Sequence, residues 1–256
     1  MSGLATLLKQ VPYFGSLGND ELEALARAAH RREHGKAAVV LAEGAPCPSL
    51  FVVIRGRVKL SRMGDGGREQ VLRIIGPGRT FGDEPVFDGG EAPTSAVALE
   101  PTAVAAVPKA RVLGLVERHP QVALAVARGL ASRLRDMTDV VEDLALHGVA
   151  ERIARLLLAC HCGRPLLAEG AGDACERLTQ QRLAAMTGSV REVVQRALKA
   201  LEAAGAVELS RGHVRVRDAA ALEGWAGGGR GRRQPPPRCA CPDHGERRPP
   251  RAARRR

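Results

Sequence analysis

The sequence predicts an α+β chain: an N-terminal β-barrel or sandwich, a long helix, and a C-terminal winged helix-turn-helix. Three observations predict it. Short β-branched runs separated by glycines fill residues 37–107, an apolar heptad series follows Pro120, and "LTQQRLAAMTGSVREVVQRALKALEAAG" (Leu178 to Gly205) reads as two helices broken at Gly188.

Ahead of the strands, residues 12–30 pattern as a short amphipathic helix. Asn19 is placed to cap it, Asp20, Glu21 and Glu23 suit its positive end, and Leu22, Leu25 and Ala26 share a face. The runs "AVVLAEG", "SLFVVIRGRVKLSR", "EQVLRIIGPG", "TSAVAL" and "AVAAVP" then read as strands, with Gly44, Gly56, Gly66, Gly67, Gly78 and Gly82 between them. Several short strands with glycine turns make a sandwich or barrel.

Residues 109–117 pattern as a helix, and Pro120 marks the start of the next. In it, Ala123, Ala127, Leu130, Leu134, Met137, Val141 and Leu144 are spaced 4, 3, 4, 3, 4, 3. That is the a/d seam of a coiled coil, for which a monomer has little use, although the same stripe also suits a helix packed on its own domain. A second chain across this helix is the expectation. Val149 to Cys160 forms a further helix, and after Gly205 "AVELSRGHVRVRD" reads as two strands turning near Gly212. Helix, turn, helix and hairpin together make a winged helix-turn-helix.

At 256 residues and 45% hydrophobic, the chain has room for two packed cores. The net charge of +11 suggests an acidic partner, but ten arginines against Asp243 and Glu246 place +8 of it between Gly227 and Arg256. Charge alone therefore describes a tail, expected to be disordered, and a nucleic-acid partner must be read from a site. The chain holds four Phe, one Tyr and one Trp, too few to stack single-stranded bases, which leaves duplex DNA. No basic leader precedes an apolar stretch, and no window approaches the roughly 18 apolar residues of a membrane span. The expected location is the cytoplasm. Cys47, Cys160, Cys162, Cys175, Cys239 and Cys241 lack the spacing of a disulfide framework and are expected as reduced thiols. Cys160-His161-Cys162 with Cys175, and Cys239 and Cys241 with His244, match no zinc spacing, so no metal or other cofactor is expected.

In the helix-turn-helix, Leu183, Met186, Val190, Val194, Leu198 and Leu201 are the expected buried positions. Ser189 either caps the second helix with Glu192 as its capping-box partner, or Val190 is the boundary residue and Glu192 is free. The exposed set is then Arg191, Glu192, Gln195, Arg196 and Lys199. Arginine bonds guanine O6 and N7 in bidentate fashion and a carboxylate accepts from cytosine N4, so this set suits the major groove. Thr179, at the start of the first helix, and Arg211, in the hairpin, are placed for phosphates.

Residues 11–222 resemble the Crp/Fnr family of bacterial transcription regulators. The resemblance rests on "GRTFGDEPVFDGGEAPTSAVAL", similar to the family's phosphate-binding cassette, on "VVIRGRVKL" before it, on the long helix, and on Arg191, Glu192 and Arg196 as R-E-x-x-x-R. It implies a jelly-roll β-barrel of the cyclic-nucleotide-binding type as sensor over 1–119, a dimerisation helix over 120–146, a DNA-binding winged helix-turn-helix over 147–224 and a basic tail over 225–256. It also implies an effector site at Gly82, Asp83, Thr94, Ser95 and Thr138. Where cyclic-AMP binders carry Gly-Glu, this chain has Gly82-Asp83, and where they carry Arg-Ser it has Thr94-Ser95. The cation for the cyclic phosphate is missing, so cyclic AMP is not the expected effector.

The expected partners are double-stranded DNA with a two-fold operator, a second copy of the chain, RNA polymerase and an unidentified small-molecule effector, and not a membrane. A cyclic-nucleotide-responsive regulator and a small-molecule barrel whose helical domain contacts proteins are the alternatives. An enzyme is not expected: no Walker loop, H-E-x-x-H or G-x-S-x-G is present to name a nucleophile or base.

Overall fold

The computed structural model of the chain describes residues 1–162, 167–169, 178–210 and 213–227. Two helices, α1 (Gly3–Gln10) and α2 (Asn19–Ala28), precede β1 (His30–His34), β2 (Val39–Leu41), β3 (Ser49–Arg55), β4 (Val58–Met63), β5 (Glu69–Ile75) and β6 (Thr80–Phe81). After α3 (Asp83–Asp88) come β7 (Ser95–Ala98), β8 (Thr102–Pro108), α4 (Lys109–Arg118), α5 (Pro120–Leu146) and α6 (Val149–His161). Then follow β9 (Ala168–Glu169), α7 (Gln180–Met186), α8 (Arg191–Ala203), β10 (Val207–Ser210), β11 (His213–Val216) and α9 (Ala219–Ala226).

The strands make a jelly roll of two sheets, ordered β1-β8-β3-β6 and β2-β7-β4-β5-β9, with β10-β11 as a separate hairpin. All pairs are antiparallel except β5 with β9. Among the described residues no ladder closes the two sheets into one barrel. Their facing sides are joined by a core instead, with Phe51, Val53, Val58, Leu60, Ile75, Phe81, Val104 and Ala106 between them. Phe51 and Phe81 stack there at 5.0 Å.

β3 and β8 show why their sequences are nearly continuous apolar runs. Successive side chains on a strand point to opposite faces. Phe51, Val53, Val104 and Ala106 face the inter-sheet core. Leu50, Val52, Ala105 and Val107 face a second core formed with Ala5, Leu8, Leu22, Val112, Val122 and Val126 of the helices. Both faces are covered, so neither can be polar. β1, "HRREH", is the opposite case: an edge strand pairing only with β8, its charges exposed and its Glu33 joined to Arg31 and Arg55. The N-cap of α2 is Gly18, not the expected Asn19, and Glu21 accepts from its amide at 3.2 Å.

The α5 seam differs from the expected one by a rotation of the helix. Leu130 packs on the helical core of the sensor, and Ala123 and Met137 are half-buried. Ala127, Leu134 and Val141, seven residues apart, stay exposed together with Leu124 and Leu144, Leu134 by 70% and Val141 by 63%.

The third core holds the C-terminal helices and does not end at the domain boundary. Ile153, Leu156, Leu183, Val194, Leu198, Leu201 and Leu222 pack with Val71 and Ile74 of β5. α9 carries Trp225 and the buried Ala226, so the expected tail boundary at 225 falls inside a helix, and the tail from 228 onward lies outside the described residues. At the α5–α6 junction Arg155 binds the Asp143 carboxylate at 2.9 Å, and Arg152 donates to the Leu144 carbonyl at 3.2 Å.

Gly188 marks where the helix-turn-helix meets the sensor. Its φ is +60°, and a Cβ there would overlap Gln70 Oε1 of β5 and meet Leu144 Cδ2 of α5 at 2.8 Å. Gly188→Ala should therefore lose about 1–3 kcal/mol in chemical denaturation, the sum of backbone strain and contact. Adding Gln70→Ala should recover the contact share. Equal losses in the single and double variants would show that the turn does not touch β5 in solution.

Candidate effector and DNA-binding sites

The cassette begins where β6 ends. Gly82, at φ +74°, turns the chain into α3, and a Cβ there would meet Cys47 Sγ at 3.0 Å and the Phe51 ring at 3.3 Å. Only glycine meets both demands. The Cys47 thiol sits beneath this turn, 3.1 Å from the Ser49 carbonyl, and burial pushes its pKa up, so it is an unreactive core thiol.

Asp83 follows, fully buried. It receives a 2.8 Å ion pair from Arg133 of α5 and a 2.9 Å hydrogen bond from the Thr80 hydroxyl. Arg133 also donates to that hydroxyl at 3.0 Å, and its guanidinium lies 5.9 Å from the centre of the Tyr13 ring. Burial first, and the Asp83 charge after it, hold the Tyr13 phenol well above the usual tyrosine range. Of the expected effector residues, then, Asp83 is engaged by the chain itself. Arg133, Thr80 and Tyr13 were not singled out in the sequence, since nothing in its spacing marks a flanking arginine of a long helix.

The other expected effector positions belong to other elements and make no bond to this pair among the described residues. Ser95 opens β7 in the other sheet, and its hydroxyl accepts from the Glu43 amide at 3.1 Å. Thr94, just before it, is half-buried. Thr138 is exposed on α5 and donates to the Leu134 carbonyl of its own helix at 3.0 Å.

In the helix-turn-helix, Thr179 caps α7 by accepting from the Arg182 amide at 3.3 Å. Ser189 makes no side-chain cap: Val190 is the N-cap of α8, and the Ser189 amide donates to the Ala184 carbonyl at 2.9 Å to close the turn. Val190 is consequently 45% exposed rather than buried, because a cap residue points away from the helix's apolar face. Val194, Ala197, Leu198 and Leu201 are the residues that bury α8.

The opposite side of α8 presents Arg191, Glu192, Gln195, Arg196 and Lys199, all exposed. Among the described residues none of their four charges is spent in an ion pair. β10 and β11 pair behind them with Glu208 opposite Arg215, forming the wing. Arg211 lies outside the described residues.

Cys160, expected as a reduced thiol, is disulfide-bonded. It stands half-buried at the C-terminal end of α6, on the rim of a cleft that also touches Leu178 and His213. No group of three metal-binding side chains occurs among the described residues. Cys175, Cys239, Cys241 and His244 lie outside them.

The Asp83–Arg133 pair is testable by itself. Arg133→Met should cost about 3–5 kcal/mol, because it leaves a buried carboxylate without its counter-charge. Asp83→Asn in the same chain should recover much of that loss. A double-mutant cycle by chemical denaturation reads the coupling, and strictly additive losses would mean that the two groups do not interact.

Comparison with known proteins matches the two domains that carry these candidate sites. Residues 31–119 match the cyclic nucleotide-binding domain and residues 151–225 the Crp-like helix-turn-helix domain. The chain is 35% identical over 216 residues to the cyclic AMP receptor protein of Thermus thermophilus, covering 84% of this chain and 97% of the relative. It is 28% identical to the CRP-like cAMP-activated global transcriptional regulator of Mycobacterium tuberculosis, covering 84% and 96%. Among solved structures, the c-di-GMP responsive global regulator CLP of Xanthomonas campestris superposes with a TM-score of 0.67 at 26% identity, covering 78% of this chain and all of that one. With a sensor and a helix-turn-helix matched in this order, and a relative of that identity spanning nearly its whole length, the chain belongs to the Crp/Fnr family of transcriptional regulators.

Proposed function

We propose that the chain is a homodimeric, sequence-specific DNA-binding regulator whose sensor answers to an effector other than cyclic AMP. In this reading residues 1–119 sense, 120–146 pair two copies and 147–224 read a two-fold operator, with RNA polymerase as the further partner and the cytoplasm as the location. No helix among the described residues is long and apolar enough to cross a membrane.

The observation that carries the reading is the ridge of Arg191, Glu192, Gln195, Arg196 and Lys199 on α8, exposed and with charges unspent. A helix held by Val194, Leu198 and Leu201 on one side offers the other to the major groove, where its first turn reaches base edges. Thr179 and Arg211 are assigned to the phosphates, which set register without reading sequence, and Ser189 to the DNA-binding surface. What supports pairing is the exposed stripe Leu124, Ala127, Leu134, Val141 and Leu144, which parallel α5 helices from two copies would bury as a coiled coil.

The effector reading rests on the cassette. Gly82, Asp83, Thr94, Ser95 and Thr138 are its assigned positions, but a cyclic phosphate there would meet the Thr94 and Ser95 hydroxyls where a guanidinium would otherwise form a bidentate bond. The names of the Thermus and Mycobacterium relatives favour the other reading, a cyclic-AMP response. Calorimetric titration separates the two: no heat of binding is expected at micromolar cyclic AMP, and saturable binding would establish the cyclic-AMP response.

Selection of duplexes from a random pool should return a two-fold site with half-sites about 34–36 Å apart. A site holding one half only would remove the pairing. Over all single-base variants of that operator, Arg191→Ala and Arg196→Ala should each lose about 1–3 kcal/mol of discrimination at one guanine, and Glu192→Ala should relax a cytosine. Losses spread evenly over every variant would make these residues phosphate anchors, with sequence read through DNA shape.

A further inference from the structure

The face of α5 turned away from Leu134 and Val141 lines a cleft of about 550 Å3. Ala125, Arg128, Gly129, Ser132 and Asp136 form one wall, and Pro12, Tyr13 and the Arg79–Thr80 turn form the other. Its volume falls within the roughly 300–1,000 Å3 of small-molecule sites.

Two features set this cleft apart from an ordinary groove. Arg79, half-buried, and Arg128 approach it from different elements, and neither has an ion pair among the described residues. Arg133, also in the lining, is already neutralised by Asp83. Two guanidinium groups bring a positive charge to the cleft that Asp136, also in its lining, offsets only in part. The second feature is Tyr13, 2% exposed, whose buried hydroxyl shares the Asp83 and Thr80 side chains with Arg133. It brings an aromatic ring with a polar tip to the lining.

We propose that this cleft binds a phosphorylated small molecule, with Arg79 and Arg128 bonding the phosphate and the Ser132 hydroxyl as a further donor. Guanidinium groups from two sides match the terminal oxygens of a phosphate better than the two of a carboxylate. The site is distinct from the cassette positions Thr94 and Ser95. It also stands apart from the apolar stripe of α5: at 100° per residue, Ala125, Ser132 and Asp136 point nearly opposite Leu134, so a paired α5 leaves the cleft open. A bound phosphate would tie the Arg79 turn, next to the Asp83 cassette, to α5. The proposal goes beyond the regulator reading and survives a failure of DNA binding.

Tyr13 is the only tyrosine in the chain, so full-length protein labelled with 3-fluorotyrosine gives one 19F resonance, located in the lining of the cleft. Titration with inorganic pyrophosphate, and with AMP as a phosphomonoester, should move that resonance saturably at or below millimolar ligand. Arg79→Ala and Arg128→Ala should each weaken binding by about tenfold, the loss of one charge-assisted hydrogen bond, while Thr94→Val should leave it unchanged. Neither arginine supports the fold through an ion pair, so both variants remain folded, which the unliganded resonance itself reports. No saturable shift with either probe overturns the proposal. So does a shift that Thr94→Val abolishes and the arginine variants leave intact, which would put the anion in the cassette.

Discussion

The arrangement of the cyclic nucleotide-binding domain depends on one buried ion pair. Asp83 has no exposed surface and Arg133 little, so each would be costly to bury alone. Together with the Thr80 hydroxyl they form a closed triangle of bonds at 2.8, 2.9 and 3.0 Å. Its corners come from β6, α3 and α5. The triangle joins the cassette turn to the long helix, and the position of that helix sets where everything C-terminal to it lies. Such a pair contributes little net stability, but a misplaced partner leaves a bare charge, so it fixes geometry strongly.

α5 is consequently a helix with three kinds of surface. Val122, Val126 and Leu130 anchor it to the sensor core, Leu134 and Val141 are left uncovered, and Arg128, Ser132 and Arg133 face the cassette side. The heptad spacing in the sequence shows that the helix is striped without showing which stripe is spent internally. Leu130 looks like a seam residue in the sequence and is a core residue in the fold. The difference is a small rotation about the helix axis, which a periodicity shared by both assignments cannot resolve.

Elsewhere legibility follows how local the cause is. β3, β4, β5, β7 and β8 were readable because β-branched runs between glycines have local causes, and α8 was readable because its apolar and charged residues alternate with the helical period. β1 was not: "HRREH" has no apolar side to show, and it is a strand only because β8 offers it a ladder. The Ser189 and Val190 boundary was left open by sequence, since a capping box and a free first turn use the same residues. Arg133 was invisible for a different reason. Its partner lies 50 residues away, and a long-range ion pair leaves no periodic trace. The bond of Cys160 has no signature in the sequence, since the spacing of the cysteines matches neither a secreted framework nor a zinc site.

The core shared between β5 and the C-terminal helices bears on how such a chain can vary. Val71 and Ile74 complete the packing of Leu156, Leu183 and their neighbours, and the Gly188 turn is fitted to Gln70 and Leu144. The two halves are therefore not interchangeable modules. A helix-turn-helix transplanted from a relative would arrive without the surface its own sensor supplies, and a change in β5 would call for an answering change across the boundary. Change is thus free on the solvent side of α8, where Arg191 and Arg196 make no hydrogen bond or ion pair among the described residues. It is constrained on the side that rests against the sensor.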